Sequence, residues 1–549
     1  MIDKSIDRSM GSALSPPSSY LFASIDMGTN SFKLLIIRAF PDGVFFPIHR
    51  HKEAVVLGRD AAAGAISPQS QALALQSLGS FSRILQTHNV IPSRTACLAT
   101  SAIREASNKG EFVAAAEEAL GLGFRVRVLS GEEEAELAYK GAIQFLPVYE
   151  KLILNVDIGG GSTEFTIGKR GEVLYCASLK LGHVTLTQES LEHGEFLKLR
   201  EHIVSAVEKS GLVHKVKQFG FEVAVGSSGT IRELEKAEFC GYWLDDGIAP
   251  NWELKRQWRL SRRGLTSIVE RLCCADEKWK EKRDRFFGKR TEFILAGAIL
   301  LEEIFNLLGI EEMDVSKYAL GEAAIADTLS KVYSDYASNA NVRWQSIIRL
   351  ATRLNSKKQM RAAAQCAGFA REIFEGLRKE YELCGKDLEY LQAACLLHGI
   401  GLLNGRKGYH KQTYHMIMDS DKLHGYEFQE VKFIALLAKH HRKKFPGPDH
   451  ASLQDLPEEM KENFRFLCSI IRVSVALRQD LLTTSQNPEC SYANEGLDLL
   501  LHGSINELSS LLEMVCPLEE SRTKEELMNF RKVFKRDLSA VVKGLVSVD

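Results

Sequence analysis

The hydrophobic pattern of this chain changes period twice. From Leu21 the apolar runs are short and end in turns: LFASID, FKLLII and a third stretch from Gly43 to Leu57 predict three strands, the first two as a hairpin around MGTNS. Ser67 to His88 then carries Leu75, Leu78, Phe81 and Leu85 at helical spacing, behind a serine and a proline that suit a helix start. TACLAT, SAIREASNKGEFVAAAEEAL, RVRVLS and GEEEAELAYKGAIQF alternate strand with helix, the mark of an α/β domain. After Pro147 the layout restarts with LILNVDI, STEFTIG and EVLYCASL, repeating the strand, Asp-x-Gly turn and second strand of residues 22–37. A strand at 222–226 and helices at Ser190–Lys209, Arg262–Cys273 and Thr291–Leu308 complete this second half. From about Tyr336 the strand signal disappears. Ile347–Leu354, Gln359–Tyr381, Leu388–Leu397, Glu427–Lys439, Met460–Leu482 and Lys524–Val542 all predict helices, giving an all-α final domain.

The pattern divides the chain into a disordered N-terminal tail (1–20), two similar α/β halves (21–130 and 131–335) and a helical domain (336–549). Two halves that each open on a strand ending in Asp-x-Gly predict a cleft with a phosphate site on both walls. With 549 residues the chain is too long for one core, and each piece is large enough for its own.

Composition adds little: 45% hydrophobic, 26% charged, formal net charge −1. Overall neutrality does not exclude an anionic substrate, which a local basic pocket binds. Eleven cysteines without a CxxC pair or zinc-like spacing suggest a reducing compartment, and a cytoplasmic location is expected. No apolar run reaches the ~20 residues of a membrane span. Met1–Ser19, with both charge signs and SPPSS, has neither a secretion signal's apolar core nor a transit peptide's acid-poor character.

The chemistry concentrates in five segments. In VDIGGGST an apolar strand ends at Asp157 and opens onto Gly159, Gly160, Gly161, Ser162 and Thr163: glycines let backbone N–H groups converge on an anion and reach positive φ without steric cost. Asp157 is placed for a metal ion or a water beside a phosphate; the competing reading is a plain hairpin turn. DMGTNS repeats the arrangement with Asp26, Asn30 and Ser31. ATSAIRE puts Arg104 in the first turn of a helix, where free N–H groups and a guanidinium fork both suit phosphate. LSGEEEAELAY crowds three glutamates into a first turn, where the helix dipole alone favours them, yet the three point different ways and one can face a cleft. AVGSSGTIREL offers a second cradle from Gly226, Ser227, Ser228, Gly229 and Thr230. No Walker lysine follows any of these loops, so a P-loop NTPase is disfavoured.

IDMGTNSFKLLI, ATSAIREA, VLSGEEEAELAYKG, VDIGGGSTEF, LKLGHVTLT and AVGSSGTI, in this order across residues 25–231, resemble the signature blocks of the Ppx/GppA phosphatases. The resemblance implies an actin-like, RNase H-type two-domain fold and Mg²⁺-dependent (or Mn²⁺-dependent) removal of a terminal phosphate by a glutamate-activated water. Carried over by position, it implies Glu134 as general base, Asp157 and Glu164 at the metal, and Gly159, Gly160, Ser162, Asn30 and Arg104 at the phosphate. Its substrates are inorganic polyphosphate, taken here as the leading expectation, or guanosine pentaphosphate at the same site. Rivals are a phosphotransferase built around AVGSSGT and a non-catalytic polyphosphate or nucleotide sensor. A homodimer fits the resemblance; nucleic acid is not an expected partner.

Two stretches depart from it. The C-terminal helices are similar to an HD phosphohydrolase fold, but Gly399 follows His398 where a metal-binding aspartate belongs, so a degenerate HD-like scaffold without a metal centre is expected despite histidines at 398, 410, 415, 440 and 441. In YALGEAAIAD, Gly321 stands where the family usually has arginine. The basic run of Lys439, His440, Arg442, Lys443 and Lys444 is either a solvated helix end or a polyphosphate contact.

Overall fold

The structure is a computed structural model that describes residues 20–40, 44–57, 64–144, 146, 148–190, 196–243, 258–274, 276–332, 342–420, 423–443, 445–447, 450–480, 489–492, 496–503 and 522–544. The expected tail, but for Tyr20, and Lys444 lie outside the described residues.

Strands β1 (Tyr20–Met27), β2 (Ser31–Ala39) and β3 (Phe45–Ala54) form an antiparallel meander. Helix α1 (Pro68–Thr87), started by the Ser67 cap and Pro68, leads to β4 (Thr95–Ala99), which returns parallel to β1. Helices α2 (Ser101–Glu105) and α3 (Lys109–Leu120) lead to β5 (Val126–Val128), parallel to β4. The sheet order is β3-β2-β1-β4-β5. All but the first residue of β1 is buried, because this central strand is covered on both faces.

After α4 (Gly131–Ile143) the plan repeats. Strands β6 (Ile153–Ile158), β7 (Thr163–Lys169) and β8 (Glu172–Leu179) form the second meander. Helices α5 (His183–Ser190), α6 (Phe196–Lys209) and α7 (Leu212–Phe219) lead to β9 (Val223–Ser227), parallel to β6. Helix α8 (Gly229–Phe239), strand β10 (Arg259–Ser261) and helices α9 (Arg262–Leu272), α10 (Glu277–Phe287) and α11 (Thr291–Leu308) precede β11 (Glu312–Ser316), parallel to β9. The order is β8-β7-β6-β9-β11-β10, so the two sheets share one plan: a meander, then two parallel strands. This duplication is the actin-like, RNase H-type pair that the family resemblance implies.

The two units are joined where α4 meets α12 (Leu320–Val332). Gly141 allows the approach, since a methyl group there would lie 2.0 Å from the Ala319 carbonyl. Tyr318, Ile325 and Leu329 bury into the core of the first sheet, which is continuous with the C-terminal helices.

Those helices are α13 (Val342–Leu354), α14 (Lys357–Leu377), α15 (Gly385–Leu397), α16 (Tyr409–Met418), α17 (Phe428–His440), α18 (Glu458–Asp480) and α19 (Arg522–Phe534). Trp344 of α13 donates its indole N–H to the Phe45 carbonyl at 3.2 Å and docks the domain on the first unit. The domain is not all-α as expected. β12 (Glu489–Tyr492), β13 (Gly496–Gly503) and β14 (Asp537–Gly544) form a three-stranded sheet in that order. The helix expected over Lys524–Val542 stops at Phe534 because Lys535 adopts a left-handed φ of 53°, which breaks the hydrogen-bond ladder. LDLLLH and LSAVV, apolar runs too short to carry a period, then pair as strands.

Candidate functional site

The cleft between the two sheets gathers the ends of β1, β4, β6 and β9. Of the three glutamates that open α4, Glu133 is used locally: it closes a capping box with Ser130 and pairs with Arg127. Glu134 points instead to Arg104, whose guanidinium donates to Oε2 at 2.8 Å and to the Leu129 carbonyl at 3.1 Å. Burial pushes the Glu134 carboxyl up, while the bond and charge of Arg104 pull it down, leaving it above its ordinary range.

The repeat places a strand-end aspartate and its cross-strand partner in matching register in both halves. Asp26 stands opposite Lys33 across β1 and β2, and the lysine donates to it at 2.7 Å. Asp157 stands opposite Glu164 across β6 and β7, seven residues on in both cases. Where the first half offsets its aspartate with an amine, the second sets two carboxylates side by side. Burial pushes Asp157 up to about 7 and Glu164 well above its usual range, with Glu134 adding to both. Directly opposed like charges destabilise a strand pair, and a hard dication relieves that conflict. The residues therefore fit Mg²⁺. No group of three His, Cys, Asp or Glu side chains able to hold a metal occurs among the described residues; two carboxylates such as Asp157 and Glu164 could hold Mg²⁺ only with water and substrate phosphate completing its shell. Ser178 donates to Glu164 Oε1 at 2.8 Å and orients it.

The glycines of the VDIGGG turn are required for space: none of Gly159, Gly160 and Gly161 has positive φ, contrary to the expectation for this loop. A methyl group on Gly160 would sit 2.8 Å from Thr29 Cβ, and one on Gly161 2.7 Å from Ser101 Oγ, so the two walls touch here. Ser162 and Thr163 are buried beneath the turn, and Thr163 donates to the Leu181 carbonyl. Asn30 closes the first wall's turn and Ser31 opens β2; on the second wall Gly226 and Ser227 end β9, Ser228 makes the turn, and Gly229 and Thr230 open α8. Ser228 caps α8 through its side chain with a φ of 143°, a strained value for a residue with a Cβ. Such strain at a turn beside the cleft matches a functional position.

Sequence reasoning missed the cations and His183. Lys52 lies directly opposite Lys33 across β2 and β3. Burial, followed by the charges of Arg290, Lys33 and Arg232, lowers the Lys52 amine to about 8. The Arg290 guanidinium lies where a Gly229 side chain would stand, within 2.0 Å of that position. Arg232 donates to the Ser228 and Lys317 carbonyls. A cleft lined by one sign of charge concentrates ligands of the opposite sign, so this cluster suits an anion. Their signal was the i, i+2 spacing of Arg50 and Lys52 on one strand face, which means nothing until the fold sets it against Arg232 and Arg290. At the place where Gly321 replaces the family's arginine, Arg50 of β3 donates to neighbouring Glu322 at 2.8 Å.

The C-terminal basic run is split between core and surface. His440 is buried against Phe464 and His450, and is therefore not a surface contact. Lys439 lies over the Tyr414 ring and Arg442 over Tyr409, while Lys443 is exposed. His398 and His441 bond to backbone carbonyls, and His441 also to the Tyr409 hydroxyl at 2.9 Å.

Two like units closing on buried carboxylates and clustered cations define an enzyme of phosphoryl chemistry. The description "Ppx/GppA phosphatase family" matches residues 36–332, and that of the family's domain III matches 342–523. The chain belongs to the Ppx/GppA phosphatase family, hydrolases of phosphoanhydride bonds. A guanosine-5'-triphosphate,3'-diphosphate pyrophosphatase from Pseudoalteromonas translucida (strain TAC 125) is 29% identical over 438 residues, 78% of this chain and 81% of that protein. The crystal structure of an exopolyphosphatase from Cytophaga hutchinsonii ATCC 33406 is 25% identical with a TM-score of 0.50, covering 58% of this chain and all of that one. No described helix is long and apolar enough to cross a membrane.

Proposed function

We propose that the protein is an exopolyphosphatase that hydrolyses the terminal phosphoanhydride of inorganic polyphosphate. The observation that carries this reading is the cluster of Lys33, Lys52, Arg232 and Arg290 adjoining the catalytic carboxylates, which suits a ligand whose charge continues beyond the scissile phosphate.

In this reading the terminal phosphate lies against the Gly159–Ser162 turn, with Arg104, Asn30 and Ser31 on the opposite wall. Glu134 takes the proton of the attacking water as the new P–O bond forms, the bridging P–O bond breaks, and the shortened chain departs with the electron pair. Asp157 and Glu164 would hold Mg²⁺, which when bound would supply positive charge to the non-bridging oxygens. As Arg104 turns toward phosphate it releases Glu134, whose burial then favours accepting the proton.

The likeness to a guanosine pentaphosphate hydrolase supports a second reading, removal of that nucleotide's 5′-terminal phosphate by the same residues. Phosphate release from long-chain polyphosphate and from guanosine pentaphosphate, measured side by side with Mg²⁺ and with chelator, separates the two. Faster turnover of the nucleotide overturns the first reading.

A further inference from the structure

One residue outside the carboxylates and cations is bonded to three of the phosphate turns. His183 opens α5, and its backbone N–H donates to the Gly159 carbonyl at 3.1 Å while the next, from Val184, donates to Gly160 at 2.9 Å. Its buried ring has Nε2 3.3 Å from Asn30 Nδ2 of the opposite wall and Nδ1 3.4 Å from Thr230 Oγ1 of the β9–α8 turn. Phe293 packs edge-on against the ring, and Gly297 leaves it room, since a methyl there would be 3.3 Å from His183 Cβ.

The Asn30 amide nitrogen facing Nε2 points to one tautomer. An amide nitrogen only donates, so Nε2 is the acceptor, the proton resides on Nδ1, and Nδ1–H donates to Thr230. Burial, with Arg290, Lys52 and Lys33 nearby, lowers the imidazole to about 4, so the ring is neutral at neutral pH and its role is orientation.

We propose that His183 is a positioning residue: through Asn30 it joins the first wall's turn to the Gly159–Gly160 and Thr230 turns, so that the closed cleft presents a single phosphate site. This rests on the proposed function for its kinetic readout only.

The test uses His183→Ala, His183→Phe and His183→Gln in the full chain, together with Asn30→Ala. Alanine and phenylalanine are expected to lower kcat/KM at least about tenfold, because misplaced binding groups lose alignment. Glutamine, whose amide oxygen can replace Nε2 as acceptor, should recover most of the loss. The Asn30→Ala, His183→Ala double variant should be no worse than the poorer single. A fully active His183→Phe protein, or additive losses in the double variant, overturns the proposal. An arm independent of turnover uses ¹⁵N-histidine spectra, with His183→Gln identifying the signal. The His183 ring is expected as the Nδ1–H tautomer and should lose that preference in Asn30→Ala. An Nε2–H tautomer in the native protein overturns the proposal whichever substrate is hydrolysed, and even if neither is.

Discussion

Arg104 donates to Glu134 at 2.8 Å, so the guanidinium suited to hold phosphate and the carboxylate suited to activate water are partners before substrate arrives. Burial pushes the Glu134 carboxyl up, and the bond and charge of Arg104 oppose that rise. Glu134→Gln should lower kcat by about 10²–10⁴-fold with KM little changed, the range expected for losing a general base. Undiminished hydrolysis would remove Glu134 from the mechanism. Arg104→Ala makes a sharper prediction. Arg104 lowers the Glu134 pKa, so its loss raises it, and the acid limb of the kcat/KM profile should move to higher pH. A limb that stays in place or moves down would show that another group is the base.

Asp157 links this site to stability. Burial pushes its carboxyl up to about 7 in the folded chain, against an ordinary value of 3.8. Between those values the folded state retains a proton that the unfolded state has lost. Ionised Asp157 is thus a penalty fully present above pH 7, and it fades as pH falls toward 3.8. In chelator, Asp157→Asn should stabilise the protein by ~1–3 kcal/mol at pH 8 and much less at pH 5. Added Mg²⁺ should raise the melting temperature of the native protein at pH 8 and leave the variant nearly unmoved. Denaturant midpoints at the two pH values and melting curves check both, and a gain independent of pH would sink the argument.

The candidate site was legible in the sequence where chemistry follows the chain. Asp157, the glycines behind it, Glu134 and Arg104 each sit at a strand end or in a first helical turn, positions that local pattern defines. Both sheets were legible too, since each half announces itself by a strand, Asp-x-Gly and a second strand. What the chain could not display is adjacency across it. Lys52, Arg232 and Arg290 are separated by roughly 60 residues or more and gather only when two sheets close, and His183 looks like any polar helix-opening residue until Asn30 faces it. The final sheet was missed for a local reason: Lys535 ends a helix without glycine or proline to mark the stop.

In the C-terminal domain one buried ion pair joins two helices. Arg472 and Glu526 are almost wholly buried, bonded twice at 2.7 Å, and the same guanidinium donates to the carbonyls of His440 and Lys443. It thereby ties α18 to α19 and fixes the end of α17. Glu526→Ala leaves a buried cation unpaired and should cost ~3–5 kcal/mol, whereas exchanging both residues for apolar ones of similar volume should recover much of that. Denaturant unfolding checks both variants. A loss below ~1 kcal/mol for the single change would show that solvent reaches the arginine.

The cleft mouth is crossed by a second pair, Lys180 at the end of β8 and Glu105 at the end of α2, 2.6 Å apart. The lysine is largely exposed, so the bond contributes no more than ~1 kcal/mol to holding the two units together, and salt weakens it. Its position gives that small energy a specific effect. Glu105 also meets Arg104 at 3.4 Å, so removing the carboxylate disturbs both the closed cleft and the phosphate arginine, whereas removing Lys180 disturbs closure alone. Lys180→Ala should raise KM a few-fold at low ionic strength, corresponding to at most ~1 kcal/mol, with kcat nearly unchanged and the effect gone in high salt. Glu105→Ala should raise KM and lower kcat together. The exchanged pair, Lys180→Glu with Glu105→Lys, should restore closure but not the Arg104 contact, so KM recovers while kcat does not. Equal effects from the two single variants, or a KM for Lys180→Ala that ignores salt, would mean that the pair is a surface contact without influence on the cleft.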